Sequence, residues 1–277
     1  MSVRAARPVS QRAARPVITL LTDFGVVDPF VGMMKGVIAG ICPDAVVVDL
    51  THEVPAQDIA CGAFYLERAY RYFPEGTVHV AVVDPGVGTA RAPIALTAGR
   101  HFFVGPDNGI LSLAVAAARR FRAVTLAEPS FLRAAISNTF HGRDVFAPVA
   151  AHLANGVTLT QFGPPQKRIV KLPWPKPRKT RAGFSAEIVS VDRFGNLITN
   201  LSPEHWKSLR RPRLSVASFV CDELSPSYGA ARRGELLAVF GGYGLLEIAA
   251  RDASAAALLD VARGAKLRLE GVSRRRP

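Results

Sequence analysis

The chain is poor in cysteine, holding only Cys42, Cys61 and Cys221. An odd count without metal-ligand spacing supports neither a disulfide framework nor a Cys/His zinc site, and three reduced structural thiols fit a cytoplasmic compartment. No apolar run approaches the roughly 20 residues of a membrane-spanning helix, so membrane insertion is not expected. An internal repeat is lacking too. The glycines of Asp84-Pro85-Gly86-Val87-Gly88 do not follow the Gly-x-Gly-x-x-Gly spacing, and no P-loop lysine comes after them, so no nucleotide fingerprint is present. Neither His52 nor His101 stands at a useful metal-ligand spacing from His141, and neither a metal nor a cofactor is expected.

Acidic residues are also scarce, 22 against 35 Lys and Arg, for a formal charge of +13. Much of that excess sits in local runs. Arg4, Arg7, Arg12 and Arg15 lie in an acid-free start, seven positive residues fall between Lys167 and Arg181, and Arg274 to Arg276 nearly close the chain. Such runs bind phosphates in a salt-dependent way, but these lack interleaved aromatics and a reading motif, so solvated tails and a linker are expected in place of a nucleic-acid interface. The N-terminal run is Arg-rich like a transit segment. It has no apolar signal core, and a disordered basic tail over 1–16 is expected.

The apolar content of 49% supplies a sizeable core for 277 residues. Val17 to Leu21, Ala45 to Leu50, Val78 to Val83, Ile94 to Leu96 and Phe102 to Val104 read as strands. Helical patterns at Phe30 to Ile41, Ala60 to Tyr72 and Leu111 to Arg119 alternate with them, which predicts an α/β domain over 17–165 with a largely parallel central sheet. The Pro-rich, basic stretch 166–183 predicts a linker, since proline offers no amide donor. Short strands at Ser185 to Val191, Leu197 to Leu201, Arg213 to Val220, Leu236 to Phe240, Leu245 to Ala249 and Lys266 to Glu270 predict a smaller all-β, barrel-like domain over 184–271, followed by a basic tail over 272–277.

Candidate functional residues cluster in the turns between these elements. Asp23 follows the first strand, where open α/β sheets bind ligands. It would either accept hydrogen bonds from a ribose diol or cap the following segment. Asp84 and Arg91 form either a surface ion pair or part of a site. His141, between Phe140 and Gly142 in Thr139-Phe140-His141-Gly142-Arg143-Asp144, is either a structural imidazole or an exposed one beside an aromatic wall. Asp192-Arg193-Phe194-Gly195-Asn196 either makes a turn or recognises an amine through Asp192 and a heterocycle edge through Asn196.

Several motifs in order resemble the S-adenosylmethionine hydroxide adenosyltransferases, relatives of the fluorinase and chlorinase enzymes. They are Leu20-Leu21-Thr22-Asp23-Phe24-Gly25, Asp49-Leu50-Thr51-His52, Tyr72 to Val78, Asp84 to Gly88, Gly105-Pro106-Asp107-Asn108-Gly109, Thr139 to Asp144, and Asp192 to Asn200. The resemblance covers Ile18 to about Ala256. It implies hydrolysis of S-adenosyl-L-methionine to adenosine and L-methionine by attack of water or hydroxide at the ribose 5′-carbon. Asp84, Arg91 and His141 would be catalytic, Asp23 would hold the ribose hydroxyls, and Asp192 and Asn196 would contact the amino-acid amine and adenine. Phe140 and Tyr228 are candidate apolar walls, and Glu247 is a further substrate-binding candidate. Gly242 stands where relatives often have serine, which leaves an adenine contact there to backbone groups. The resemblance also implies a homotrimer with sites at subunit interfaces.

Two alternatives remain at this level: a chlorinase-like halogenase and a non-catalytic nucleoside- or nucleic-acid-binding protein. Halogenase relatives have an uncharged residue at the position of Asp84 and a hydroxyl near that of Gly142. A carboxylate about 4 Å from a halide opposes it by roughly 4 kcal/mol at an effective dielectric of 20, which favours hydrolysis.

Overall fold

The computed structural model describes residues 15–118 and 120–273, and these divide into two compact units with the boundary between Leu172 and Pro173. The expected N-terminal tail, apart from Arg15 and Pro16, and residues 274–277 lie outside the described residues.

In the first unit the order is β1 Val17–Thr22, α1 Phe30–Ile41, β2 Val46–Thr51, α2 Ile59–Ala69, β3 Val78–Val82, β4 Pro93–Ala98, β5 His101–Pro106, α3 Ser112–Ala117, β6 Phe121–Thr125, α4 Ala147–Ala154 and β7 Pro165–Gln166. The sheet runs β2-β1-β3-β5-β4-β6-β7. Pairings among β2, β1, β3 and β5 are parallel, and β4, β6 and β7 extend the sheet antiparallel. The sheet is therefore mixed, with its parallel half carrying the first candidate residues.

Period-two alternation covers both faces. Ile18, Leu20, Val78, Val80 and Val82 share a core with Met34 and Ile38 of α1 and Val149 of α4. Leu21, Ala81 and Val83 pack on the other side with Leu66 of α2 and Ala114 of α3. A sheet buried on both faces explains why these strands read as unbroken apolar runs.

The second unit holds β8 Arg178–Lys179, β9 Gly183–Val191, β10 Leu197–Thr199, α5 Pro203–Lys207, β11 Leu209–Val216, β12 Phe219–Cys221, β13 Leu236–Phe240, β14 Leu246–Ala250, α6 Ala255–Leu259 and β15 Lys266–Ser273. Its sheet is antiparallel throughout, in the order β12-β11-β15-β9-β10-β14-β13 with β8 also on β9, and contact between β12 and β13 nearly closes it. Leu197, Leu214, Leu246, Ile248 and Leu269 fill the interior. The single strand expected at Arg213 to Val220 is instead a hairpin turning at Ala217, φ +46°. No Gly, Asn or Pro marks that turn, so its sequence hides it.

Among the described residues, no helix is long and apolar enough to cross a membrane. All three cysteines are free thiols.

Candidate active site

Asp84 and Arg91 bracket the turn that leaves β3. Their side chains are 4% and 9% exposed, so the pair is buried and not a surface bridge. Arg91 Nε donates to Asp84 Oδ1 at 3.0 Å and Oδ2 at 2.9 Å, and Nη2 donates to Oδ2 as well. The same Nη2 lies 2.7 Å from His141 Nδ1. A guanidinium nitrogen only donates, so Nδ1 must accept, and the ring proton is assigned to Nε2. Burial, then the Arg91 charge, hold the His141 pKa below its ordinary value against the opposing pull of Asp84 and Asp144.

The network leaves Arg91 Nη1 over. This nitrogen is buried and has no hydrogen-bond partner among the described residues. A buried guanidinium N–H without an acceptor is costly, and it marks a place where an oxygen or an anion is needed. The guanidinium also stands over the Phe146 ring, 5.5 Å from its centroid.

Backbone geometry brings these segments together. Val87 N–H donates to Asp84 O and Thr89 N–H to Gly86 O, which tightens the turn. Gly88 has φ +75°, and a Cβ there would sit 2.4 Å from the Asn138 carbonyl oxygen. Only glycine lets the turn lie against the chain three residues before His141.

The sequence reading places Thr139 to Asp144 in a turn, whereas His141 already has helical dihedrals and a π-helical turn, Gly142–Phe146, runs into α4. The Asp144 carboxylate is fully buried and pinned by Arg143 and Ser137 N–H. Burial alone would raise its pKa, but these partners outweigh burial and hold it low. His141 stands at the N-terminal end of this wider turn, and π-turns of this kind recur at functional sites.

Asp23 follows β1 directly. It does not cap α1, whose first turn starts after Pro29 with no side-chain cap. Its Oδ2 accepts the Gln57 N–H at 2.8 Å, and Gln57 adopts φ +65°. Phe140 stands in an edge-to-face trio with Phe24 and Phe30, ring centroids 5.3 to 6.1 Å apart. Phe24 and Phe30 were not singled out in the sequence; a Phe adjoining Asp23 was the available signal. In the first unit, then, Asp84, Arg91 and His141 touch, while Asp23 and Phe140 occupy neighbouring turns of the same sheet end.

In the second unit, Asp192, Asn196 and Tyr228 line one cleft of about 620 Å³ together with Phe194 and Arg251. Asp192 also builds its turn: Oδ1 accepts from Phe194 N–H and Asn196 N–H at 2.9 Å each, and Oδ2 from Asn196 Nδ2 at 2.8 Å. The turn and the cleft-lining readings therefore coexist. Phe194, 75% exposed, is a cleft residue that the sequence did not single out. Tyr228 Oη donates to Glu247 Oε2 at 2.6 Å. Burial and the neighbouring carboxylate push the phenol pKa up, so it stays a donor. Burial also raises the Glu247 pKa, against the Tyr228 hydrogen bond and with the Asp192 charge. Glu247 does not itself line the cleft, nor does Gly242, whose Cβ position faces open space.

Two family models match in sequence order: the SAM hydroxide adenosyltransferase N-terminal domain over residues 18–163 and its C-terminal domain over residues 186–268. The chain belongs to the SAM hydroxide adenosyltransferase family. It is 43% identical over 267 residues to a protein of Salinispora arenicola named (R)-S-adenosyl-L-methionine hydrolase, covering 93% of this chain and 98% of that one. A protein of Actinoplanes sp. named fluorinase is 30% identical over 213 residues, covering 67% and 72%. The crystal structure of an uncharacterized conserved protein from Thermotoga maritima superposes with TM-score 0.85 at 33% identity, covering 91% and 99%. As a member of the SAM hydroxide adenosyltransferases, the chain carries the buried Asp84-Arg91-His141 network in its N-terminal domain and the Asp192-Asn196-Tyr228 cleft in its C-terminal domain.

Proposed function

We infer that this enzyme hydrolyses S-adenosyl-L-methionine to adenosine and L-methionine. Family membership supports the substrate, and one observation carries the reaction: Arg91 Nη1 is buried and has no partner among the described residues, beside a carboxylate already occupied by the same guanidinium. Asp84 offers both oxygens to Arg91, so it orders the network and is not a free base. The donors left over are Arg91 Nη1 and the Nε2–H of His141. A nucleophile oxygen that accepts from both donors is favoured as hydroxide over water, and hydroxide keeps a lone pair for attack. Water releases one proton to solvent, the oxygen bonds to C5′, and the C5′–S bond breaks with its electron pair going to sulfur. The leaving group is a neutral thioether and needs no proton. Alignment of nucleophile and carbon within roughly 3 to 3.5 Å supplies much of the rate.

The Salinispora relative's name specifies the (R) form. Because "L" already defines the amino-acid carbon, (R) designates the sulfonium centre, and this epimer is the proposed substrate. Incubating each resolved epimer in oxygen-18 water tests both points. Label in the adenosine 5′-hydroxyl from the (R) epimer is expected; unlabelled adenosine, or no adenosine, overturns the reading.

The halogenase reading is opposed chiefly by shape. Pairing with Arg91 cancels much of the Asp84 field, so the repulsion of an isolated carboxylate overstates its effect on a halide. At Gly142, however, an added Cβ would lie 3.1 Å from Phe140, 3.2 Å from Met34 Sδ and 3.3 Å from Phe24, which leaves little room for a hydroxyl-bearing side chain.

No cofactor enters this scheme. The resemblance further supports a homotrimer with sites at subunit interfaces, and sedimentation at several concentrations checks it. A cytoplasmic location is part of the same reading, supported by three free thiols.

A further inference from the structure

Beside the proposed ribose contact lies a buried polar chain that the reaction does not use. Thr22, the last residue of β1, is 0% exposed and His52, just past β2, is 5% exposed. Thr22 Oγ1 lies 2.8 Å from His52 Nδ1. His52 Nε2 approaches Asp49 Oδ1 at 3.0 Å, in a bent approach, and Lys35 Nζ bonds the other carboxylate oxygen at 2.6 Å. One set of proton positions sets donors against acceptors along the chain, with the bent Nε2–Asp49 approach a charge contact and not a hydrogen bond. Phe24 N–H donates to Thr22 Oγ1 at 3.2 Å, so the hydroxyl hydrogen is free to donate to Nδ1, and Nε2–H faces Asp49.

The chain brackets Asp23. Thr22 and Phe24, its two neighbours, are joined through the Thr22 hydroxyl. Gly25 N–H donates to the His52 carbonyl at 2.8 Å, and Val54 N–H to the Thr22 carbonyl at 3.4 Å. The same segment supplies the Gln57 N–H that holds Asp23 Oδ2. A register shift between β1 and β2 after Leu20↔Asp49 changes the pairing to Leu21↔Thr51 just before this point, and such irregularities re-aim a strand end. Apolar residues would pair two strands without burying a hydroxyl and an imidazole, so what these groups add is direction.

We propose that His52 and Thr22 are positioning residues that orient Asp23, through its flanking backbone, toward the ribose diol. The proposal rests on the reading of Asp23 as the ribose contact. Its readout is discrimination between ribose and 2′-deoxyribose, which general loss of stability does not change selectively.

The experiment measures binding of adenosine and 2′-deoxyadenosine by calorimetry, with turnover of S-adenosyl-L-methionine in parallel, for the wild type and for Thr22→Val, Thr22→Ser, His52→Asn and His52→Gln. A correctly aimed carboxylate makes wild type prefer adenosine by about tenfold or more. Thr22→Val and His52→Gln, which lose the hydroxyl or its acceptor, are expected to bring that ratio close to one, while Thr22→Ser retains it. His52→Asn, whose amide oxygen takes the place of Nδ1, is expected to retain most of it. If Thr22→Val does not fold, the contrast between His52→Gln and His52→Asn decides. An unchanged ratio in Thr22→Val and His52→Gln overturns the proposal, as does a wild type with no preference for adenosine. Absence of turnover with the ratio pattern intact overturns the hydrolase reading alone.

Discussion

Arg91 Nη2 and His141 Nδ1 stand 2.7 Å apart, although fifty residues of chain separate them. This contact defines the imidazole tautomer, since the guanidinium must donate, and it leaves Nε2–H as the only ring hydrogen available to a ligand. Asp84, which takes Nε and shares the same Nη2 with His141, holds Arg91 in place for both tasks.

Arg91→Ala is expected to lower kcat by about a hundredfold to a thousandfold, the usual cost of removing a donor to a developing or bound anion. KM should change far less. Asp84→Ala and His141→Ala should also reduce turnover more than affinity. Steady-state kinetics checks this, and wild-type turnover in any of the three removes that residue from the scheme.

The His141 pKa is depressed, so the neutral ring persists below its ordinary value of 6.5. Protonation at Nδ1 would break the Arg91 contact. The acid limb of kcat/KM that belongs to His141 is therefore expected to have its midpoint below pH 6.5, with less than half of that loss on lowering the pH from 8 to 6.5. A ring titration by NMR with a midpoint above 6.5 would contradict it.

His79 provides a stability test away from the site. It is buried in β3, with Nδ1 2.8 Å from Thr19 Oγ1 and Nε2 3.2 Å from His101 Nδ1. Burial, with the His101 charge, lowers its pKa to about 3. Between pH 6.5 and about 3 the unfolded chain binds a proton at this residue and the folded chain does not, so stability falls as pH falls through that window. Denaturant titrations should show a loss of a few kcal/mol there from this group. The loss should shrink in His79→Gln; an equally steep acid slope in that variant would assign the effect elsewhere.

Gly88→Ala combines a positive φ with a Cβ 2.4 Å from the Asn138 carbonyl oxygen. The turn must move away from Asn138, and destabilisation of about 1 to 3 kcal/mol is expected together with loss of activity. Gly242→Ala, where nothing lies within 4 Å of the new Cβ, should leave stability nearly unchanged. Thermal unfolding of the two variants separates a glycine required by packing from one that is not.

Element types were legible wherever burial imposes a simple period. Phe30–Ile41 forms the helix that its spacing predicts, and Leu236–Phe240 the strand. The hairpin at Ala217 and the π-turn after His141 were not legible, because no residue type announces either; packing of the flanking strands and the buried Asp144 enforce them. Of the antiparallel extension, β4 was expected as a strand but its direction was hidden, since direction depends on partners and not on periodicity, and the short strands β6 and β7 were not expected at all.

By itself, the sequence determined the two-part α/β and all-β architecture and the family, because alternating apolar runs and ordered motifs survive without coordinates. It also supplied the chemistry of Asp84, Arg91 and His141 as residue types. Only the tertiary structure decided that the Asp84-Arg91 pair is buried and not a surface bridge, that Arg91 Nη1 has no partner among the described residues, and that Asp23 is tied to Gln57 and not to a helix end. These are statements about distance and desolvation, which arise when remote turns meet at one end of a sheet and which no local pattern encodes.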